Sequence, residues 1–305
     1  MPMKPPEFYA FDLAEFLIGE KALPLFERAY AGIFRSPRGA GPAANLRRIL
    51  TFTLGRTPSS QELDSALGQM GVLYARYQFA CNRLPANSRD FIERVQVRAF
   101  PQVAQLLKMG NGAILAGCHT EPAITLLGAA ALAHHHEVPV TALADFAEPY
   151  EAASRAIPNL RYLPMLASAA PCLSALRRNE VVFFLGDIDY FPGGRTADFF
   201  GAPFHPPQGA AKLALAAQAP ILPVYGLSQE NGFVLGGEEV IGVNAESGQE
   251  ELESSLLRAF ERIIGRHPAH WLVLRDAWDL EAGLAASRLL LRRISLRNRI
   301  KRFFS

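Results

Sequence analysis

Three cysteines in 305 residues are too few, and too irregularly placed, for a disulfide framework. Cys81, Cys118 and Cys172 form no CxxC pair, which points to a reducing compartment. An excess of one charge is also missing. The chain has 31 Lys and Arg against 29 Asp and Glu, a net +2 that makes no global case for a nucleic acid partner. Long apolar runs are absent too. The longest uncharged one, residues 123–133, falls short of the roughly 18–20 residues that cross a bilayer and reads as a buried Ala-rich helix. The opening residues lack the n-region, h-region and cleavage site of a secretory signal. There is no GxSxG, no P-loop and no GxGxxG after a strand, which argues against a nucleophile-elbow hydrolase and against a nucleotide cofactor.

Half of the residues are hydrophobic and a fifth are charged, the composition of a globular chain. Phe8, Phe11, Phe16, Leu17 and Ile18 cluster at helical spacings among Asp12, Glu15 and Glu20, and Ser36–Gly41 is a turn-rich break. Residues 43–108 read as helical, with Ser59 or Ser60 before Glu62 marking a helix start. From residue 111 strands and helices alternate. Strands are expected at 113–118, 138–142, 181–185, 221–225 and 271–274, with a hairpin or edge strand at 233–241. Helices are expected at 122–133, 150–157, 170–178, 208–217 and 250–265. Such alternation implies right-handed crossovers and a mostly parallel sheet. The expectation is one α/β domain: a helical part over 1–108, an α/β core over 109–280 with helices on both faces, and a basic amphipathic helix over 281–305.

Two polar segments stand where open α/β sheets bind ligands, at strand ends. The first is Cys118-His119-Thr120-Glu121-Pro122. It places His119 at the end of one strand and the start of a helix, with Thr120 as a possible N-cap and Pro122 tolerated in the first turn. An imidazole there could take a proton from a hydroxyl attacking a thioester, and a helix N-terminus disfavours the imidazolium form. The second segment is Gly186-Asp187-Ile188-Asp189, followed by a Gly/Pro loop carrying Arg195 and then by Phe199-Phe200-Gly201.

Together these segments resemble the late lipid A acyltransferases of the lysophospholipid acyltransferase superfamily. The resemblance spans about residues 100–280. It includes the strand-His-helix unit, the aspartates at 187 and 189, Gly194-Arg195, Phe199-Phe200-Gly201, Gly209–Ala214 with Pro223, and His267-Pro268-Ala269-His270-Trp271. It implies a general base at His119, substrate-binding roles for Asp187, Asp189 and Arg195, and structural roles for His267 and His270. A guanidinium at Arg195 fits a phosphate or a pantetheine-linked group. The chain departs from the family's His-x4-Asp/Glu pattern, because the fifth residue after His119 is Ile124. Glu121 is the nearest carboxylate and the first choice to orient the imidazole, with Asp187 or Asp189 as alternatives.

Other signals point elsewhere. Cys118 adjoins His119, but strand alternation turns it toward the core. The His134–His136 run lacks a nearby acid or cysteine at ligand spacing beyond Glu137, so no metal is expected. The segment 281–305 carries six Arg and one Lys against one Glu, interleaved with Leu, Ile and Phe. It reads as an anchor on an anionic membrane surface. The expected activity is acyl transfer, without a cofactor, from an acyl carrier protein or coenzyme A thioester to a lipid hydroxyl. The acceptor would be a lipid A precursor or a lysophospholipid-like molecule, met at the cytoplasmic face of the inner membrane by a peripheral enzyme. Two rivals stand beside it: an aminoacyl transferase on the same fold, and a non-catalytic lipid- or carrier-binding homologue.

Overall fold

The computed structural model describes residues 22–144, 157–165, 168–189, 195–229, 232–285 and 288. Its strands are β1 (Val95–Val97), β2 (Ala113–Gly117), β3 (Val140–Leu143), β4 (Leu160–Leu163), β5 (Val181–Leu185), β6 (Ala197–Phe199), β7 (Ala202–Phe204), β8 (Ile221–Gln229) and β9 (Gly232–Gly237). Its α-helices are α1 (Leu23–Arg35), α2 (Ala40–Leu54), α3 (Ser60–Glu93), α4 (Phe100–Leu107), α5 (Pro122–His135), α6 (Ala169–Arg177), α7 (Gly209–Ala217) and α8 (Gln249–Arg266).

Seven strands form one sheet in the order β1-β9-β8-β2-β5-β3-β4. From β8 to β4 every pairing is parallel. β9 returns antiparallel to β8 as a hairpin, and β1 pairs parallel to β9 at the edge. The central strands β2 (AILAG) and β5 (VVFFL) carry no polar side chain, because both of their faces are covered. Ile114, Ala116, Val182 and Phe184 point into one core with residues of α6, α7 and α8. Ala113, Leu115, Val181 and Phe183 point into the other, against Val103 and Leu106 of α4 and Leu127 and Ala130 of α5. A third cluster joins Tyr30 and Phe34 of α1 to Met70, Leu73 and Tyr74 of α3, Leu46 of α2, and Ala269 and Leu272. The chain is thus a mostly parallel α/β domain carrying an N-terminal helical layer.

The helix start near residue 60 is a capping box. Ser59 accepts from the Glu62 N–H, and the Glu62 carboxylate accepts from the Ser59 N–H. The break at Ser36–Gly41 contains a 3-10 turn, Pro37–Gly39, on which Ser36 accepts from the Arg38 N–H. Four expectations change. Residues 95–97, read as part of a helical stretch, form the edge strand β1. Residues 160–163 form β4, and residues 197–204 form the two-stranded hairpin β6–β7. Segments of three or four residues are too short for periodicity to reveal. Residues 271–274 make no strand: Trp271 bridges Thr120 alone. The amphipathic segment before residue 22, the helix expected at 150–157 (apart from Ile157) and nearly all of the basic segment after residue 285 lie outside the described residues.

One contact fixes how α5 sits on the sheet. A Cβ on Gly226 would lie 2.4 Å from the Thr125 backbone nitrogen, so glycine lets the helix press directly onto β8. The Gly226 N–H then donates to Thr125 Oγ1 at 3.0 Å. Gly226→Ala should therefore destabilise the fold by about 1–3 kcal/mol through overpacking. Urea unfolding measures this, and an unchanged midpoint would contradict the packing described.

Candidate active site

Parallel pairing brings the two polar segments together. Gly117 of β2 is in register with Leu185 of β5. Two residues beyond each strand, on the same side of the pleat, stand His119 and Asp187. They meet as register requires. His119 Nδ1 lies 2.6 Å from Asp187 Oδ1, and the His119 backbone N–H donates to Asp187 Oδ2 at 2.8 Å. Asp187 is fully buried, and the His119 side chain is 11% exposed. A carboxylate so buried needs several donors. The third is the Trp271 indole N–H, 2.6 Å from Oδ2. With Nδ1 bound to the carboxylate, Nε2 is the ring's basic nitrogen.

Trp271 arrives on a segment zipped to the histidine. The Leu272 N–H donates to the His119 carbonyl at 2.9 Å, and the Glu121 N–H donates to the His270 carbonyl at 3.0 Å. Thr120 and Trp271 form the antiparallel bridge between these bonds. Thr120 is therefore not the N-cap. Glu121 holds that position with a left-handed backbone, φ 42° and ψ 67°, and makes no side-chain cap bond. The helix start offers few donors for an oxyanion: the Glu121 N–H goes to His270, and Pro122 has none.

The expected site residues divide accordingly. Asp187, expected to bind substrate, is instead turned onto the imidazole. Ile124, the fifth residue after His119, is a buried core side chain. Glu121, the first choice for orienting His119, bonds elsewhere. It accepts from the Ser228 N–H at 3.0 Å, from the Ser228 hydroxyl at 2.5 Å and from His270 Nδ1 at 2.7 Å. Arg195 is not paired with an aspartate. Its guanidinium binds α8 through Glu253, at 2.9 and 3.1 Å, and through Glu250. The Glu253 side chain is 1% exposed, so this ion pair ties the segment leading into β6 to α8. The Asp189 carbonyl accepts from Arg275 at 3.3 Å.

Asp189 also borders an apolar groove of about 450 Å³, lined by Leu143, Leu173, Phe184, Leu185, Ile188 and Leu213 among others. That volume lies in the range of about 300–1,000 Å³ usual for small-molecule sites. Two of its lining residues, Ile188 and Asp189, directly follow Asp187 in the chain.

Periodicity could not reveal Trp271, Ser228 or Glu253, whose roles depend on contacts 84, 107 and 58 residues away in sequence. Two imidazoles of the His134–His136 run also find distant partners. His134 Nε2 lies 3.1 Å from Glu93 of α3, and His135 Nε2 lies 3.0 Å from the Ile92 carbonyl. The fold thus supplies an acid that the local sequence lacks. The donor atoms of Glu93, His134 and His135 lie within 4.8 Å of one another, and the hydrogen bonds tie the ends of α3 and α5 together.

Comparison with known proteins bears on the same region. The sequence model of the bacterial lipid A biosynthesis acyltransferases matches residues 18–279. The phosphatidylinositol mannoside acyltransferase of Mycolicibacterium smegmatis is 26% identical over 259 residues, covering 81% of this chain and 83% of that one. Two Mycobacterium tuberculosis proteins of the same name are 28% identical over 254 residues, covering 79% of this chain and 78% of theirs.

Cys118, adjacent to the imidazole, is buried on the core side of β2. Burial pushes its thiol well above the ordinary range, and the Asp187 charge adds to the effect. A thiol so shifted is no nucleophile at neutral pH. Cys118 should resist iodoacetamide in the folded protein and react on denaturation, as followed by peptide mass spectrometry, and Cys118→Ala should leave turnover essentially unchanged. Native-state alkylation at the rate of a free thiol would contradict this.

Proposed function

Because the chain belongs to the bacterial lipid A biosynthesis acyltransferase family and is thereby an acyltransferase, we propose that it transfers an acyl group from a carrier-protein or coenzyme A thioester to the hydroxyl of an amphipathic lipid. The observation that carries this reading is the 2.6 Å contact between His119 Nδ1 and a buried carboxylate. In the proposed reaction Nε2 takes the hydroxyl proton as the acceptor oxygen attacks the thioester carbonyl carbon. The Asp187 charge stabilises the imidazolium that forms. Collapse of the tetrahedral intermediate breaks the C–S bond, and the imidazolium returns its proton to the departing thiolate. Asp187 does not itself change protonation state.

The groove beside Asp189 suits the fatty tail, because its lining is mainly apolar, with Ser168, Gln208 and Lys212 beside Asp189 as its polar members. Asp189, at its border, is proposed to face the substrate. Arg195 is proposed to hold the neighbouring loop in place through Glu253. The acceptor is a lipid A precursor or a lysophospholipid-like molecule, and the name that the relatives share favours one that carries a sugar. For the donor we favour the acyl carrier protein. Arg47, Arg48 and Phe52 line an open depression of about 500 Å³ that suits an acidic partner. Among the described residues no helix is long and apolar enough to cross a membrane. We place the enzyme peripherally at the cytoplasmic face of the inner membrane. The two rival readings drew their force from the missing acid at position 124, and the Asp187 carboxylate on the imidazole supports acyl transfer over them.

Incubating the purified protein with acyl-carrier-protein and acyl-coenzyme A donors and candidate lipid acceptors tests the reaction by mass spectrometry. An acylated lipid should form, and His119→Ala should lower its rate at least about 100-fold. Unchanged turnover in His119→Ala would overturn the assignment. Ala216 lies exposed on α7 in the wall of the groove. Ala216→Trp should shift the preferred donors toward shorter chains while the unfolding midpoint holds. An unchanged chain-length profile would remove the tail from this groove.

A further inference from the structure

Glu121 is a 1% exposed carboxylate that the proposed chemistry does not use. Burying an ionised carboxylate costs several kcal/mol unless it is well paired. A residue with a Cβ also pays to hold a left-handed backbone, and Glu121 does so at φ 42°. Both costs fall on one residue, two positions after the catalytic imidazole. They are offset by donors from two different elements: the N–H and hydroxyl of Ser228 on β8, and Nδ1 of His270 in the 3-10 turn Pro268–His270.

What those partners carry explains the arrangement. His270 immediately precedes Trp271, whose indole holds Asp187 Oδ2 while Oδ1 meets His119 Nδ1. The Trp271 segment is joined to the histidine segment by the backbone bonds from Leu272 to His119 and from Glu121 to His270. A slip of one residue along such a pairing turns each side chain to the opposite face, which would withdraw the indole from Asp187. The Glu121 carboxylate, fixed to β8 at Ser228, grips His270 at the point where that register is set. Burial pushes the neighbouring His267 below its ordinary range, and the nearby His270 and Arg266 charges add to the effect. His270, with Nδ1 2.7 Å from Glu121 Oε1, is the imidazole paired with the carboxylate.

We infer that Glu121 is a positioning residue for the His119–Asp187 pair, acting through His270 and Trp271 to fix the plane of the Asp187 carboxylate. The inference rests on the reading of His119 as general base, but its primary readout does not require turnover. The chain has two tryptophans. The Trp278 indole donates to the Phe199 carbonyl at 3.3 Å rather than to Asp187, and its ring meets that of Trp271 edge-on at 6.0 Å, so its signal is a reference for neighbouring effects. In protein labelled with 15N-tryptophan and assigned with Trp278→Phe, Glu121→Ala should move or broaden the Trp271 indole signal more than that of Trp278, whose ring meets it edge-on. It should lower kcat about 10- to 100-fold, the scale of a small misplacement in the site. KM should stay within about twofold. Glu121→Gln keeps an oxygen for His270 and for the Ser228 N–H, and should restore both the signal and most of kcat. A Trp271 signal unmoved in Glu121→Ala, or one that moves with kcat unchanged, overturns the inference. If Glu121→Ala does not fold, His270→Ala takes its place: the same shift and the same loss of kcat are expected, and the absence of either overturns the inference. A wild-type protein inert toward every acyl donor would instead count against the proposed reaction, with the indole spectra still deciding the positioning role.

Discussion

The register between β2 and β5 is the constraint on which the site depends. Gly117 opposite Leu185 determines that the next in-phase residues are His119 and Asp187. A shift by one residue would present Cys118 or Ile188 instead, and both belong to the core. Both faces of these strands are buried, so the register is held by close-packed side chains on two sides of the sheet rather than by the polar contact itself. The His–Asp contact is thus a consequence of packing. Its short distance reflects two strand ends that have little freedom to separate.

Around that pair the polar groups form one continuous network. Asp187 joins His119 to Trp271. Trp271 belongs to the segment paired with His119 and Glu121, and Glu121 joins that segment to β8 through Ser228. Each carboxylate in it has more than one donor, as a low-dielectric interior demands. Farther along the chain the same rule governs Arg195, whose buried partner Glu253 is also bonded by Gln249. Truncating Arg195 would leave that carboxylate buried without its cation, a cost of about 3–5 kcal/mol, so a loss of activity there would not by itself show contact with substrate.

Much of the fold was legible because the central strands are uninterrupted apolar runs and the helices between them are long enough to show their pattern. The sheet, the helix starts at Pro122 and Gly209 and the hairpin after β8 all follow from that contrast. His119 and Asp187 were legible as strand-end polar residues. Their pairing was legible only as an alternative to Glu121, because β2 and β5 are separated by β3 and β4 in the chain and become neighbours only through the crossovers. Local spacing therefore favoured Glu121, which stands two residues from His119 in sequence but is directed to β8 and His270 by its left-handed backbone. Ile124 looked like a lost catalytic acid. In the fold it is a core side chain, and the carboxylate on the imidazole comes from the end of the adjacent strand instead. Trp271 was legible only as part of a resemblance, since an indole donor gives no periodic signal.

The central claim is that His119 and Asp187 act as one unit in acyl transfer. A double-mutant cycle on kcat/KM tests it most directly, comparing His119→Ala, Asp187→Asn and the double variant against wild type. Groups that act together lose most of their contribution when either is removed, so the double variant should be little slower than His119→Ala alone. Losses that simply add, with Asp187→Asn slowing an enzyme that already lacks its imidazole by the same factor as it slows wild type, would contradict the account.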